Sequence, residues 1–350
     1  MIVVRDMADQ EASKSRSDVA IVVIGRNEGD RLRRSLASVN RQAPTVYVDS
    51  GSVDDSVELA KAARVAVIGL PRGGRHSAAR GRNAGLAWCD DPAIRYVQMV
   101  DGDCVLEPGW LDAAAAVLDG DAALVAAFGR LREVAPDHSV YNRLCDVEWT
   151  VTPGRARAFG GNVLLRRDAV ITAGGYCEDM IAGEDIDLAL RVRQRGGQIM
   201  CLPVDMARHD AAIGSFGAWW RRTARSGYAF SDLAARYPGP DGAPYRKSVA
   251  RILWWGGIVP LVILAGAVAG VFAAPQAFWV ATVALTLIVM QMLRMYVREA
   301  RRHPLRTAAA LSLFLTIGKF AEMAGLIRYW RRRFRQRPGR PADYERGSAP

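Results

Sequence analysis

The stretch VQMVDGDCVL, residues 97–106, decides how this chain is read. A short apolar run suited to burial ends on two carboxylates, Asp101 and Asp103, with one glycine between them. Like charges at that spacing repel each other and resist burial. Either the pair sits in an exposed turn or a cation shares it. Hard oxygen donors suit Mg²⁺ or Mn²⁺, and Mg²⁺ commonly takes one or two carboxylates together with substrate phosphates. A nucleotide ligand carrying a diphosphate is the natural third party.

Working outward, β-rich runs alternate with helical stretches from Val19 onward. VAIVVIG is followed by a helix from about Asp30 to Val39, TVYVDS by a helix from about Val53 to Arg64, and VAVIGL by a helix from Ala78 to Trp88. This alternation predicts an α/β domain with a mostly parallel sheet, whose ligands bind beyond the carboxyl ends of the strands. Asp49 closes TVYVD as Asp101 closes VQMVD, so both carboxylates should project from one sheet edge. The alternative for Asp49 is a turn-forming role in DSGSVDDS, which is rich in capping residues.

The chain has 350 residues, of which 50% are hydrophobic, and the apolar residues concentrate near the C-terminus. Ile252 to Ala274 is an uncharged run of 23 residues, and Ala277 to Leu293 adds 17 whose only polar members are Thr and Gln. Each is about long enough to cross a bilayer core of roughly 30 Å. Between Arg294 and Arg340 thirteen Lys/Arg face two acids, an excess equal to the whole net charge of +11. Positive charge flanking apolar spans indicates a membrane surface and argues against a nucleic-acid partner. The uncharged link at Pro275-Gln276 and the basic stretch Arg294 to Arg306 fit a hairpin that enters and leaves from the cytoplasm.

In the segment 308–327, Ser312, Thr316, Lys319 and Glu322 form one helical stripe, which predicts an amphipathic helix in the cytoplasmic interface, with a third membrane span as the alternative. The expected organisation is a flexible tail (1–17), an α/β domain (18–245), a two-helix transmembrane hairpin (246–296) and a basic segment (297–350) ending in a disordered tail. No signal-peptide pattern opens the sequence, so 18–245 is expected in the cytoplasm at the inner membrane. The five cysteines are scattered and suggest neither a disulfide framework nor a zinc site.

Six motifs in order, VVIGRNEG (22–29), VYVDSGSVDDS (46–56), ARGRNAG (79–85), VDGD (100–103), GGNVLLRR (160–167) and GGYCEDMIAGEDIDLALRVRQRGG (174–197), resemble the family 2 glycosyltransferases of the GT-A fold. The resemblance implies a Rossmann-like domain that transfers a sugar from a nucleotide-diphosphate donor, with inversion and with Mg²⁺ or Mn²⁺ as cofactor. A UDP-sugar is the favoured donor, and a lipid-linked or polyprenyl-type acceptor is the expected partner. The process would be cell-envelope or exopolysaccharide synthesis. Carried over by position, the resemblance gives Glu28, Asp49, Ser52 and Asp101 to the nucleotide sugar, with Arg80 or Arg82 beside Asn83. It gives Asp101 and Asp103 to the metal, joined by His209, for which a core or solvated role is an equal alternative.

The same resemblance makes Asp185 the general base, with Glu184 as runner-up. Both stand at a helix start that favours anions, although an acidic helix start is also common without function. Arg222 and Arg225, in WWRRTARSG, would place cations near the diphosphate or meet lipid phosphates from an amphipathic surface helix. The chain departs from the family pattern at Ser52-Val53-Asp54-Asp55 and at Gly25-Arg26. The weighed alternatives are a polyprenyl-phosphate sugar transferase and a non-catalytic, membrane-tethered nucleotide-sugar binding module.

Overall fold

The computed structural model describes residues 16–39, 41–71 and 77–335. The expected tails therefore lie outside the described residues, except for Arg16 and Ser17. In chain order the elements are β1 (Val19–Gly25), α1 (Asp30–Val39), β2 (Thr45–Asp49), α2 (Ser56–Ala62), β3 (Ala66–Gly69), α3 (Ala78–Trp88), β4 (Tyr96–Asp101) and β5 (Cys104–Leu106). Then come α4 (Trp110–Gly120), β6 (Leu124–Glu133), α5 (Val140–Glu148), β7 (Gly154–Ala156), β8 (Val163–Arg166), α6 (Arg167–Thr172), α7 (Glu184–Gln194) and β9 (Gln198–His209). Five further helices follow: α8 (Phe216–Arg236), α9 (Ala243–Leu253), α10 (Val259–Phe272), α11 (Phe278–Glu299) and α12 (Leu305–Arg335).

The strands form one sheet in the order β3-β2-β1-β4-β8-β6-β9-β5, with β7 also on β9. The half β3-β2-β1-β4 is parallel throughout, as the alternation of strands and helices requires, and β8 runs against both of its neighbours. Strand β1 is central, and Val19 to Val23 are fully buried, which is why it reads as an unbroken apolar run and not as an alternating one. Gln98 is the polar exception within β4. It is fully buried and accepts a hydrogen bond from the Trp110 indole at 2.8 Å.

Register places the acids. Asp49 pairs with Gly25 on one side of β1, and Asp101 pairs with Ile24 on the other, so the two strand ends flank the same carboxyl edge. The chain then turns at Gly102, whose N–H donates to the Ile24 carbonyl at 2.8 Å, and returns as β5. Because β5 pairs antiparallel with the end of β9, Cys104 lies opposite His209. Two residues 106 apart in sequence, Asp103 and His209, are thereby brought side by side.

The chain divides into two compact units, with the boundary between Gly214 and Ser215. Helices α8 and α9 thus group with the C-terminal helices, although an α/β domain ending at 245 was expected. The physical reason is backbone-to-backbone packing of α8 on α12. A Cβ added at Gly227 would come 2.0 Å from the Glu322 carbonyl, and one at Gly325 would come 1.9 Å from that of Ala224. Trp219 packs on Phe314 and Tyr228 on Tyr329 along the same seam.

Three helical stretches, Pro240–Phe272, Pro275–Glu299 and Leu305–Arg335, are long and apolar enough to cross a membrane. The expected hairpin corresponds to the first two, joined at Pro275. Helix α12 runs past both ends of the expected 308–327 and has the length and composition of a third crossing. Side chains such as Leu261, Phe272 and Trp279 are left largely exposed, an apolar surface that suits lipid better than water.

Candidate active site

The site is built at the carboxyl edge of the parallel half-sheet. Asp49 is buried there, and its carboxylate accepts hydrogen bonds from the Gly51 and Ser52 N–H groups at 2.9 Å each and from the Tyr47 hydroxyl at 3.1 Å. The turn-forming role is therefore real, yet an ionised carboxylate has about four lone-pair positions, so acceptor capacity is left over. The Ser52 hydroxyl accepts from the Asn27 N–H at 2.9 Å, and Ser56 accepts from the Glu28 N–H at 3.1 Å, which ties the loop after β1 to the loop after β2. Glu28 pairs with Arg31 at 2.8 Å. Burial, and then the nearby Asp103 charge, push its carboxyl above the usual range.

A second cluster centres on Arg82, whose side chain points inward from α3 and is almost fully buried. Its guanidinium reaches Asp101 at 2.8 Å and Glu184 at 2.6 Å, and it lies over the Tyr176 ring at 5.5 Å. Burial opposes the charge on Arg82, but the two carboxylates more than offset it and keep the group cationic. Asn162 accepts from the Asp101 N–H at 3.0 Å. The chain passes close beside this pair at Gly161, where a Cβ would fall 2.5 Å from both the Asp101 carboxylate and the Arg82 guanidinium.

Asp185, next to Glu184 at the start of α7, has no such cation. Its carboxylate accepts from the Ile186 N–H at 2.8 Å and lies on the side of Gly160. Burial first and the Glu184 charge second push its carboxyl up to about 7, against the pull of Arg82. The two adjacent acids therefore have different chemistry: Glu184 is locked in an ion pair, whereas Asp185 is poised to exchange a proton near neutral pH.

The third corner holds Asp103 and His209, with Asp103 Oδ2 at 3.0 Å from His209 Nε2. Burial raises the Asp103 carboxyl, but the hydrogen bond with His209 outweighs it and holds the group below its usual range. Burial likewise opposes the charged imidazole, and the Asp103 carboxylate reverses that, raising His209. The His209 ring stacks on Trp149 at 4.4 Å, nearly parallel, so its plane is fixed.

Donor atoms of Asp103, Cys104 and His209 lie within 4.8 Å of one another. A hard divalent cation fits the carboxylate and the imidazole. It does not suit Cys104, whose thiol burial keeps protonated. Asp101 is partly committed to Arg82, and Asp103 and His209 are bonded to each other, so a cation held there would take the place of the proton between them.

Of the other expected residues, Asn83 is engaged at both ends of its amide. It donates to the Tyr176 carbonyl and to Glu178 and accepts from the Tyr176 N–H, so it holds the loop before α7. Arg80 lies 3.9 Å from Glu178 at the rim of that loop. Arg222 and Arg225 are on α8 and belong to the second unit. Sequence reading did not single out Asn162, Tyr176 or Trp149. The first two fall inside quoted motifs, GGN and GGY, while Trp149 carries no local signal.

The arrangement is a mixed α/β sheet, parallel in one half, with acids gathered at one carboxyl edge, as in the GT-A fold. Residues 20–170 match the family model of glycosyl transferase family 2. A pre-mycofactocin glycosyltransferase from Mycobacterium tuberculosis is 28% identical over 255 residues, covering 69% of this chain and 52% of that protein. The succinoglycan biosynthesis protein ExoU of Rhizobium meliloti is 29% identical over 202 residues, covering 52% of this chain and 58% of its own length. The chain thus spans about half the length of the curated relatives it matches. Among solved structures, the mannosyltransferase PcManGT of Pyrobaculum calidifontis, in complex with GDP-Man and Mn²⁺, superposes with a TM-score of 0.55 at 17% identity. That match covers 93% of this chain and 90% of the other.

Proposed function

We propose that this protein transfers a sugar, with inversion, from a nucleotide-diphosphate sugar to a lipid-linked or membrane-proximal acceptor in cell-envelope or exopolysaccharide synthesis. The observation that carries the proposal is the sorting of acids at one sheet edge: Asp101 and Glu184 are bound to Arg82, and Asp185 is left without a cation and near neutrality. Asp49 and Ser52 border the base and ribose of the donor, a UDP-sugar by preference, and Glu28 borders its far side. Asp103 and His209, with Asp101, would hold Mg²⁺ or Mn²⁺. When bound, that cation neutralises charge on the departing diphosphate. Asp185 accepts the proton of the acceptor hydroxyl as its oxygen bonds to the anomeric carbon, and the bond from that carbon to the diphosphate breaks on the opposite face.

The acceptor side rests on the three apolar helices and on the name of ExoU, a succinoglycan biosynthesis protein. A polyprenyl phosphate as the acceptor is the second reading, supported by the same helices. On this reading the α/β domain lies on the cytoplasmic side and the helices cross the inner membrane, which the basic flank Arg294 to Arg306 supports.

The test is Asp185→Asn in detergent-solubilised full-length protein. Donor binding should stay within about twofold, while transfer and donor hydrolysis should fall by roughly 10²–10⁴. Turnover at the wild-type rate would remove Asp185 as the base. Absence of turnover in the wild-type protein with intact donor binding would favour the non-catalytic binding module.

A further inference from the structure

The last turns of α12, in the helical unit, carry a different constellation. Ala324, Ile327, Arg328, Arg331, Arg332 and Arg335 line one cavity of about 700 Å³. Their spacing by three and four residues sets them on one face of the helix, apolar at the N-terminal end and basic at the other. No Asp or Glu occurs between 323 and 335. Among the described residues, Glu322 pairs with Lys319 and Asp232 pairs with Arg236. Arg328, Arg331 and Arg335 are exposed, and so are Ile327, Trp330 and Phe334 among them.

A ligand for this cavity must be anionic at one end and apolar at the other. Guanidinium groups grip phosphate oxygens in pairs, and exposed aromatics beside arginines at the end of a long apolar helix belong at a membrane interface. We propose that the cavity holds the phosphate headgroup of an anionic membrane phospholipid, with the start of its acyl chains along Ala324 and Ile327. The apolar floor and the apolar helix that leads into it favour a lipid over nucleic acid or an acidic protein, for which neither is needed. The site lies outside the acidic cluster and goes beyond the sugar-transfer reading.

The test is native mass spectrometry of the full-length protein in neutral detergent with equal amounts of phosphatidylglycerol and phosphatidylcholine. Wild type should retain phosphatidylglycerol at least ~10-fold over phosphatidylcholine, as expected of several arginines acting together under salt screening. The triple variant Arg328→Gln, Arg331→Gln, Arg335→Gln should lose that preference. A triple variant of equal charge change, Arg294→Gln, Arg301→Gln, Arg302→Gln, should keep it, and millimolar inorganic phosphate should not displace the lipid. All six residues are exposed, so folding should survive in both variants. Equal loss in the two variants would reduce the effect to diffuse charge and overturn the proposal. So would displacement by inorganic phosphate, or equal retention of the two lipids by wild type. None of these outcomes depends on sugar transfer.

Discussion

Replacing Asp185 with Asn should stabilise the protein while abolishing its proposed chemistry, and it should do so only where the carboxyl would be ionised. The Asp185 carboxyl sits at about 7 in the folded chain against 3.8 ordinarily, so the native state holds this proton more tightly than the unfolded chain does. Stability from this group is therefore full below about pH 4 and is lost progressively as pH rises towards 7. Three pH units correspond to at most ~4 kcal/mol. Because the side chain is only half-buried, ~1–3 kcal/mol is the expected size after solvent screening.

Asn is neutral throughout, and its carbonyl can still accept from the Ile186 N–H. The variant should therefore gain little at pH 4.5, about a quarter of the full difference, and the whole of it at pH 8. The assay is thermal unfolding of both proteins in the same detergent at the two pH values, without donor or cation. An advantage of several degrees for the variant at pH 8, much reduced at pH 4.5, is expected. A variant less stable than wild type at pH 8, or a shift identical at the two pH values, would refute the reasoning.

Other substitutions test the remaining corners of the site. Arg82→Met should cost ~3–5 kcal/mol, because it leaves Asp101 and Glu184 without their shared cation, and denaturant unfolding measures that loss. Gly161→Ala should cost ~1–3 kcal/mol and weaken donor binding, since its methyl would press on both Arg82 and Asp101, as calorimetric titration with the donor would show. Trp149→Ala removes the ring that fixes His209, and should raise the Mn²⁺ concentration needed for half-maximal donor binding by ~2- to 10-fold, within the range of an aromatic pair.

The sheet edge was legible in the sequence because burial writes it locally. VAIVVIG is apolar throughout and VQMV apolar but for the buried Gln98, since both faces of β1 and most of β4 are covered, and the aspartates that end β2 and β4 then had to share an edge. What could not be read was which acid each cation takes. Arg82 and Glu184 are 102 residues apart, and only the folded chain distinguishes Glu184 from its neighbour Asp185. The partnership of Asp103 with His209 depends in the same way on β5 pairing with β9, and short strands of three residues carry almost no periodic signal. The grouping of α8 with α12 was likewise hidden, because close helix contact at Gly227 and Gly325 looks in sequence like two isolated glycines.

The central claim is a nucleotide sugar held at the Asp49, Asp103 and His209 edge with a divalent cation. The most direct measurement is thermal protection and nucleoside-diphosphate release across a panel of nucleotide sugars, each with and without Mn²⁺ or Mg²⁺, in wild type and in Asp103→Ala. One donor should protect and be turned over only with the cation, and Asp103→Ala should lose that dependence together with turnover. Protection by no donor, or equal turnover in the presence of a chelator, would contradict the account.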